Sequence, residues 1–332
     1  MPSTDVGSGF LSRGAGPSRS PAEGSDWRPS STLETLKVRA AMLRTTREFF
    51  ADRGVMEVQT PALGAATVTD PAIDSMCTRM PGAPGRYLQT SPEYHMKRLL
   101  AAGAPSIYQI GPVFRDGERG RWHNPEFTML EWYRLGFDAA RLMDEVADLV
   151  NDLLGPAAYA RRSHAELIGA RFGIDAGAHD PTVWLETARA LGLGMHASIE
   201  DALDLLLAES IASSTDRRLF ITDFPPKLAA LARVGPDGMA ARFELAVEGI
   251  EVANGYGELC DPDELEARMD GDIRRRRAAG RPDVAADQRL LAAQREGLPD
   301  CAGVAVGFDR LVALRLGASA VGEAMAFDWE RA

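Results

Sequence analysis

The sequence predicts an α+β domain, an antiparallel sheet with helices outside it. Three observations carry that expectation. Two strand-like runs, Ile107 to Phe114 and Phe127 to Tyr133, flank a loop rich in Gly, Arg, His and Asn. A third run, Arg242 to Leu259, reads as a hairpin turning at Glu248-Gly249. Gly303 to Val306 reads as a buried strand that passes through Gly307 into a helix from about Phe308.

The remaining elements follow in chain order. Residues 1–30 are rich in Ser, Gly and Pro and lack an apolar core segment, so they read as a flexible extension rather than a secretory signal, with residues 31–332 as the folded unit. Leu36, Ala40, Leu43, Arg47 and Phe50 recur at helical spacing, and Gly54 is placed as a left-handed cap. Val55 to Val58 is a short strand ended by Thr60-Pro61, and Tyr87 to Gln89 is another. Pro92 to Ala102 reads as a helix capped by Ser91. Residues of about 139–155 and 182–218 look helical, and 139–218 is taken as a helical insertion without an assigned role.

Composition narrows the class of protein. Among 332 residues, 45% are hydrophobic and 26% charged, and no apolar run approaches the ~20 residues that cross a bilayer, so a soluble cytoplasmic enzyme is expected. Three widely spaced cysteines, Cys77, Cys260 and Cys301, argue against a disulfide framework or a cysteine zinc site. A net charge of −11 disfavours nucleic acid as a partner, because gripping phosphates calls for a basic surface. Arg274 to Arg277 is a run of four arginines, read as a solvated helix face, with docking of an acidic protein as the alternative. No P-loop, GxSxG element or HExxH pair occurs.

Several side chains are candidates for chemistry. Strand alternation puts Phe127, Met129, Glu131 and Tyr133 on one face. The ends of that row lie ~20 Å apart, room for an extended amino acid joined to a nucleotide; the plainer reading is a half-buried strand with Glu131 at an edge. With Glu248-Gly249 as the turn, Ala246 faces Glu251 and Glu244 faces Ala253, leaving Glu244 and Glu251 as diagonal neighbours. Two such acids suit Mg²⁺, or both are simply solvated. Glu258 follows Asn254-Gly255-Tyr256-Gly257, whose glycines permit close approach of a ligand, and an acid there suits an ammonium group. Arg115 and Arg310, at the ends of separate strands, suit phosphate oxygens, though either alone is also an ordinary surface ion-pair residue.

In this order the segments resemble the three motifs of class II aminoacyl-tRNA synthetases, most closely the lysyl branch. The first is the helix and strand ending at Pro61. The second runs from Val113-Phe114-Arg115 through His123-Asn124-Pro125-Glu126-Phe127-Thr128-Met129-Leu130-Glu131. The third is Gly307-Phe308-Asp309-Arg310-Leu311. Thr90-Ser91-Pro92-Glu93, His123 to Thr128 and Gly249 to Gly255 are together very specific, and the likeness runs from residue 33 to the end. The family's anticodon-binding domain has no counterpart in the first 30 residues. The truncated chain therefore resembles the branch of ligases that place (R)-β-lysine on elongation factor P.

The resemblance implies a class II antiparallel sheet flanked by helices, a homodimer formed through the first motif, ATP as a substrate, Mg²⁺, and a lysine-type amino acid passed to elongation factor P rather than to tRNA. Carried over by position, Arg115 meets the α-phosphate and Arg310 the γ-phosphate as the catalytic pair. Phe127 stacks on adenine; Asp116, Gly117, Glu118, His123, Asn124 and Val252 line the nucleotide; Gly307 lets it approach. Glu244 and Glu251 hold Mg²⁺, with Glu251 also lining the ATP site. Ser91, Pro92 and Glu93 receive the amino-acid end, and Glu258 with Tyr133 the side-chain ammonium. Relatives have Arg-x-Glu in the second motif, whereas Arg115-Asp116-Gly117-Glu118 displaces the acid by one residue. Two alternatives stay open: a truncated ligase acting on tRNA, a lipid or a small molecule, and a silent paralogue that binds lysine or nucleotide. The residue types alone do not separate α-lysine from β-lysine.

Overall fold

A computed structural model describes residues 27–174 and 181–332. Residues 1–26, most of the expected flexible extension, lie outside the described residues, as do residues 175–180 of the expected helical insertion. In chain order the elements are α1 (Leu33–Asp52), β1 (Met56–Glu57), β2 (Leu63–Gly64), β3 (Cys77–Met80), β4 (Ala83–Leu88), α2 (Glu93–Ala101), β5 (Ile107–Phe114) and β6 (Glu126–Leu135). They continue with α3 (Ala139–Leu154), β7 (Ala160–Ser163), α4 (His164–Phe172), α5 (Pro181–Ala190), α6 (Ile199–Ser213), β8 (Arg218–Thr222), β9 (Arg242–Val247) and β10 (Ile250–Gly257). The last are α7 (Pro262–Ala278), α8 (Gln288–Gly297), β11 (Cys301–Gly307) and α9 (Phe308–Leu316).

Eight strands form one sheet in the order β1-β5-β6-β11-β10-β9-β8-β7, and β2-β4-β3 form a small second sheet. The α+β expectation holds, with three differences. The sheet is mixed, since β1 pairs with β5 and β7 with β8 in parallel at its two edges. Tyr87 and Leu88 belong to the small sheet. The segment 139–218 is not wholly helical: β7 lies inside it and β8 begins at its end, so it supplies one edge of the main sheet.

Alternation along the central strands divides the sheet into a packed face and a polar face. The packed face carries Tyr108, Leu130, Trp132, Phe243, Leu245, Val304 and Val306, covered by Phe49 and Phe50 of α1, the apolar stripe of α3, and Phe308 and Leu311 of α9. Phe50 stacks on Tyr108 at 4.3 Å and meets Trp132 edge-on. Each such large apolar side chain contributes roughly 1.5–3 kcal/mol on burial. α3 also brings Glu145 to Trp132 Nε1 at 2.9 Å, a hydrogen bond, and to Arg134 Nε at 3.2 Å, an ion pair. The later half of 139–218 builds a second core, with Leu203, Leu206 and Ile211 of α6 against Leu219, Ile221 and Phe224.

The hairpin turns at Glu248-Gly249 as expected, with φ of 51° and 74°. Its register differs from the simple count. Ala246 faces Glu251, but a bulge between Glu251 and Ala253 shifts the ladder, so Leu245 faces Ala253 and Glu244 faces Asn254.

Candidate active site

On the polar face, the ladders bring Gln109, Glu131, Ala305, Asn254 and Glu244 into one row across β5, β6, β11, β10 and β9. Glu131 and Glu244 therefore stand three strand spacings apart, about 14 Å at ~4.8 Å each. A neighbouring row joins Tyr133, Gly303, Tyr256 and Arg242. Glu131 is thus no edge residue: it lies mid-sheet and is 2% exposed.

One end of this face is a carboxylate pocket. Tyr133 donates to Glu131 Oε1 at 2.7 Å and Ser91 to Glu131 Oε2 at 2.8 Å. Ser91 Oγ also accepts from Glu93 N at 3.0 Å, although the capping position itself is Pro92 and α2 begins at Glu93. Glu93 and Glu258 both face Lys97 Nζ at 2.7 Å, and all three residues are largely buried. Burial, then the neighbouring Glu93 charge, pushes the Glu131 carboxyl up to about 8. Burial, opposed by Lys97 and reinforced by Glu93, pushes Glu258 up to about 7. Burial opposes charge on Lys97, but Glu258 and Glu93 outweigh it and hold the ammonium above its usual range. One cation among three acids leaves acid unneutralised, a setting suited to incoming ammonium groups.

Gly303 and Asn254 were not among the sequence candidates. A Cβ at Gly303 would overlap the Tyr133 ring and Glu258 Oε1, so glycine there is required by the pocket itself. Asn254 Oδ1 is buried without a hydrogen-bond partner, a free acceptor on the polar face. In the sequence Glu131 reads as part of a strand face and of the second motif, and Lys97 as one residue of the helix from Pro92 to Ala102. The pairing of Lys97 with Glu258, and of Ser91 with Glu131, joins distant segments and has no signal in sequence spacing.

The opposite end gathers cations. Arg115 follows β5 and lies 5.2 Å over the Phe127 ring, with Glu118 Oε1 at 3.5 Å. The displaced acid of the second motif is thus an ion-pair partner of Arg115. Arg310 lies in the first turn of α9 rather than at a strand end, and donates to Glu251 O at 2.7 Å and Trp122 O at 3.1 Å, with His123 Nε2 at 2.9 Å from its Nη2. Desolvation, then Arg310, holds the His123 imidazole below its ordinary range. A Cβ at Gly307 would press on the Arg310 chain at 3.3 Å.

Other expected ligands stand differently. Asn124 uses both amide atoms internally, donating to Glu126 O at 2.6 Å and accepting from Trp329 N at 2.9 Å. The Val252 side chain is buried in the core, so only its backbone is available to a ligand. Gly255 is required by the Phe243 ring and Gly257 packs against Ala241 and Arg233, so these glycines serve neighbouring strands rather than ligand approach. Asp116 N donates to Asp74 O at 2.8 Å, and Gly117 turns with φ of 76°.

Glu244 is buried and paired with Arg242 at 2.5 Å. Burial, reinforced by Glu251 and opposed by Arg242, pushes its carboxyl up to about 7. Glu251 is exposed beside it. Two carboxylates within electrostatic reach of each other fit a hard, water-retaining cation that also takes phosphate oxygens. Among the described residues no group of three or more His, Cys, Asp or Glu side chains is arranged to hold a metal.

The run Arg274 to Arg277 is a solvated helix face at Arg274, Arg275 and Arg277, which are exposed, and departs from that reading at Arg276. Arg276 is 2% exposed and donates to Asp70 O, Ile73 O and Asp74, while Arg275 and Arg277 pair with Asp272 and Asp283. The end of the expected extension is held too: Ser30 N donates to Ala326 O, and Ser30 Oγ bonds Asp328.

Comparison with known proteins agrees with this geometry. Residues 23–331 match the family model "tRNA synthetases class II (D, K and N)". The chain is 44% identical over 325 residues to proteins of Photorhabdus laumondii subsp. laumondii, Klebsiella pneumoniae and Yersinia enterocolitica. Each of these is named elongation factor P–(R)-beta-lysine ligase. The matches cover 94% of this chain and 100% of each relative.

Proposed function

Because the chain belongs to the class II tRNA synthetase family of the D, K and N type, we propose that it activates (R)-β-lysine, or lysine, with ATP and transfers it to a lysine side chain of elongation factor P. The observation that carries this reading is the pocket of Glu93, Glu131 and Glu258 with one internal cation, joined on one sheet face to Arg115 and Arg310. It is supported by full-length similarity to relatives named for that activity. We further take the protein to act as a homodimer in the cytoplasm, where a translation factor is met.

In the first step the amino acid's carboxylate oxygen attacks the α-phosphorus of ATP, an O–P bond forms, and pyrophosphate leaves. Arg115 neutralises charge at the α-phosphate and aligns the attack; Arg310 turns from its carbonyl partners to the γ-phosphate, while Phe127 stacks on adenine. Ser91, Pro92 and Glu93 hold the amino-acid end, and Glu258 with Tyr133 the distal ammonium. Glu244 and Glu251 would hold Mg²⁺, which supplies charge neutralisation on the phosphates when bound. In the second step the acceptor lysine's amine attacks the acyl carbon, a C–N bond forms, AMP leaves, and the amine loses a proton.

The test is intact-mass analysis of elongation factor P after incubation with this protein, ATP, Mg²⁺ and either lysine isomer, with lysine tRNA as a parallel acceptor. One added lysyl unit on the protein is expected. Charging of tRNA alone would overturn the acceptor assignment.

A further inference from the structure

Among the described residues Lys97 is the one basic side chain that forms ion pairs with the acids of the carboxylate pocket. It comes from α2, four residues after Glu93, and is 3% exposed. Its ammonium makes an aligned hydrogen bond to Glu93 Oε1 at 2.7 Å. It also stands 2.7 Å from Glu258 Oε2 as an ion pair off the hydrogen-bond axis, that oxygen having no aligned donor. Among the described residues no hydrogen bond engages Glu93 Oε2 or Glu258 Oε1. Glu258 Oε1 lies against Gly303, where any Cβ would strike it.

A lysine buried this deeply is stable only because both carboxylates meet it, and each carboxylate is in turn fixed by it. Without it, the two buried carboxylates would repel each other with no cation between them. Fully ionised, Glu93, Glu131 and Glu258 against Lys97 leave two negative charges. An amino acid bringing two ammonium groups matches that balance, and one bringing a single ammonium leaves a buried carboxylate uncompensated.

Building on the lysine-type reading of this pocket, we propose that Lys97 is a positioning residue that sets substrate specificity. By holding one oxygen each of Glu93 and Glu258, it aims their other oxygens at the substrate and tunes the pocket to an amino acid with two ammonium groups.

The test uses the full chain with Lys97→Met, which keeps length and removes charge, and Lys97→Arg, which keeps charge. Amino-acid-dependent exchange of pyrophosphate into ATP yields separate KM values for lysine and ATP, with norleucine as the analogue lacking the distal ammonium. Lys97→Met is expected to raise the lysine KM by about tenfold or more, the loss of one charge-assisted contact, and to narrow discrimination against norleucine. The ATP KM stays within about twofold, and Lys97→Arg recovers part of the lysine affinity. Should the methionine variant not fold, Lys97→Gln carries the same expectation. An unchanged lysine KM, or equal rises in both KM values with a lowered Tm, would overturn the proposal in favour of a purely structural lysine. If the unaltered chain exchanges with no lysine isomer, the parent reading fails first and this assignment falls with it.

Discussion

Tyr133 donates its hydroxyl hydrogen to Glu131 Oε1 at 2.7 Å, two residues away on the same strand face. Ser91 takes the other oxygen, so the carboxylate is held at both ends before any substrate arrives. Removing the phenol by Tyr133→Phe frees one side of Glu131. A hydrogen bond to a charged group contributes about 1.5–3 kcal/mol, so lysine affinity is expected to fall roughly 10- to 100-fold with little change in ATP affinity. Calorimetric titration with lysine measures it.

The raised carboxyls make amino-acid binding depend on pH. Burial, which disfavours their charge, pushes the Glu258 carboxyl up to about 7 and the Glu131 carboxyl up to about 8. An ammonium ligand favours the ionised forms, so affinity is expected to rise between pH 6 and 8, with proton release on binding. Calorimetry in buffers of different ionisation enthalpy reports that release. The stability effect has the opposite sign. A carboxyl raised in the folded state stabilises the fold fully below its unfolded value of 4.5, and that contribution is lost as pH rises through about 7 to 8. Glu131→Gln should flatten the decline in Tm over that range.

Gly303→Ala should impair the pocket more than the fold. The added methyl meets the Tyr133 ring and Glu258 Oε1, so the phenol or the carboxylate must shift. Overpacking of this kind costs about 1–3 kcal/mol, and the lysine KM is expected to rise at least about tenfold. Steady-state kinetics with a parallel melting curve separates the two effects.

Arg276→Leu tests the link from α7 to the second motif. Arg276 fastens Asp70, Ile73 and Asp74, and Asp74 O in turn accepts from Asp116 N, next to Arg115. Loss of several bonds to a buried guanidinium is expected to cost about 3 kcal/mol and to raise the ATP KM more than the lysine KM. Urea unfolding and kinetics read the two.

Deleting residues 329–332 should loosen the loop between β5 and β6. Trp329 N bonds Asn124 Oδ1, and the Arg119 guanidinium lies 4.4 Å from the Trp329 ring centroid. Faster amide exchange at residues 117–124, with a higher ATP KM, is the expected outcome.

Much of this was legible along the chain. Helical spacing from Leu36 to Phe50, the glycines that end helices and turn hairpins, and the paired runs 107–114 and 127–133 all correspond to elements with those bounds or nearly so. These are local signals, since a backbone needing positive φ or an alternating strand announces itself within a few residues. One edge strand, β1, was legible as the run Val55 to Val58, whereas the opposite edge was not, because β7 and β8 sit inside or at the end of a segment that reads as helical.

By itself the sequence determined the α+β class, the central strands, the hairpin turn, and a set of acids and arginines whose order matches the class II family. Tertiary structure alone decided which acid faces which cation. A single bulge at Glu251–Ala253 moved Glu244 opposite Asn254. Packing of α2 against the sheet turned Lys97 inward between Glu93 and Glu258, and pairing across distant loops spent Arg276 on the chain's own backbone. The reason is physical: strand and helix periods are set by neighbours in sequence, whereas the charge state and aim of a buried side chain are set by whatever the fold places within about 4 Å of it.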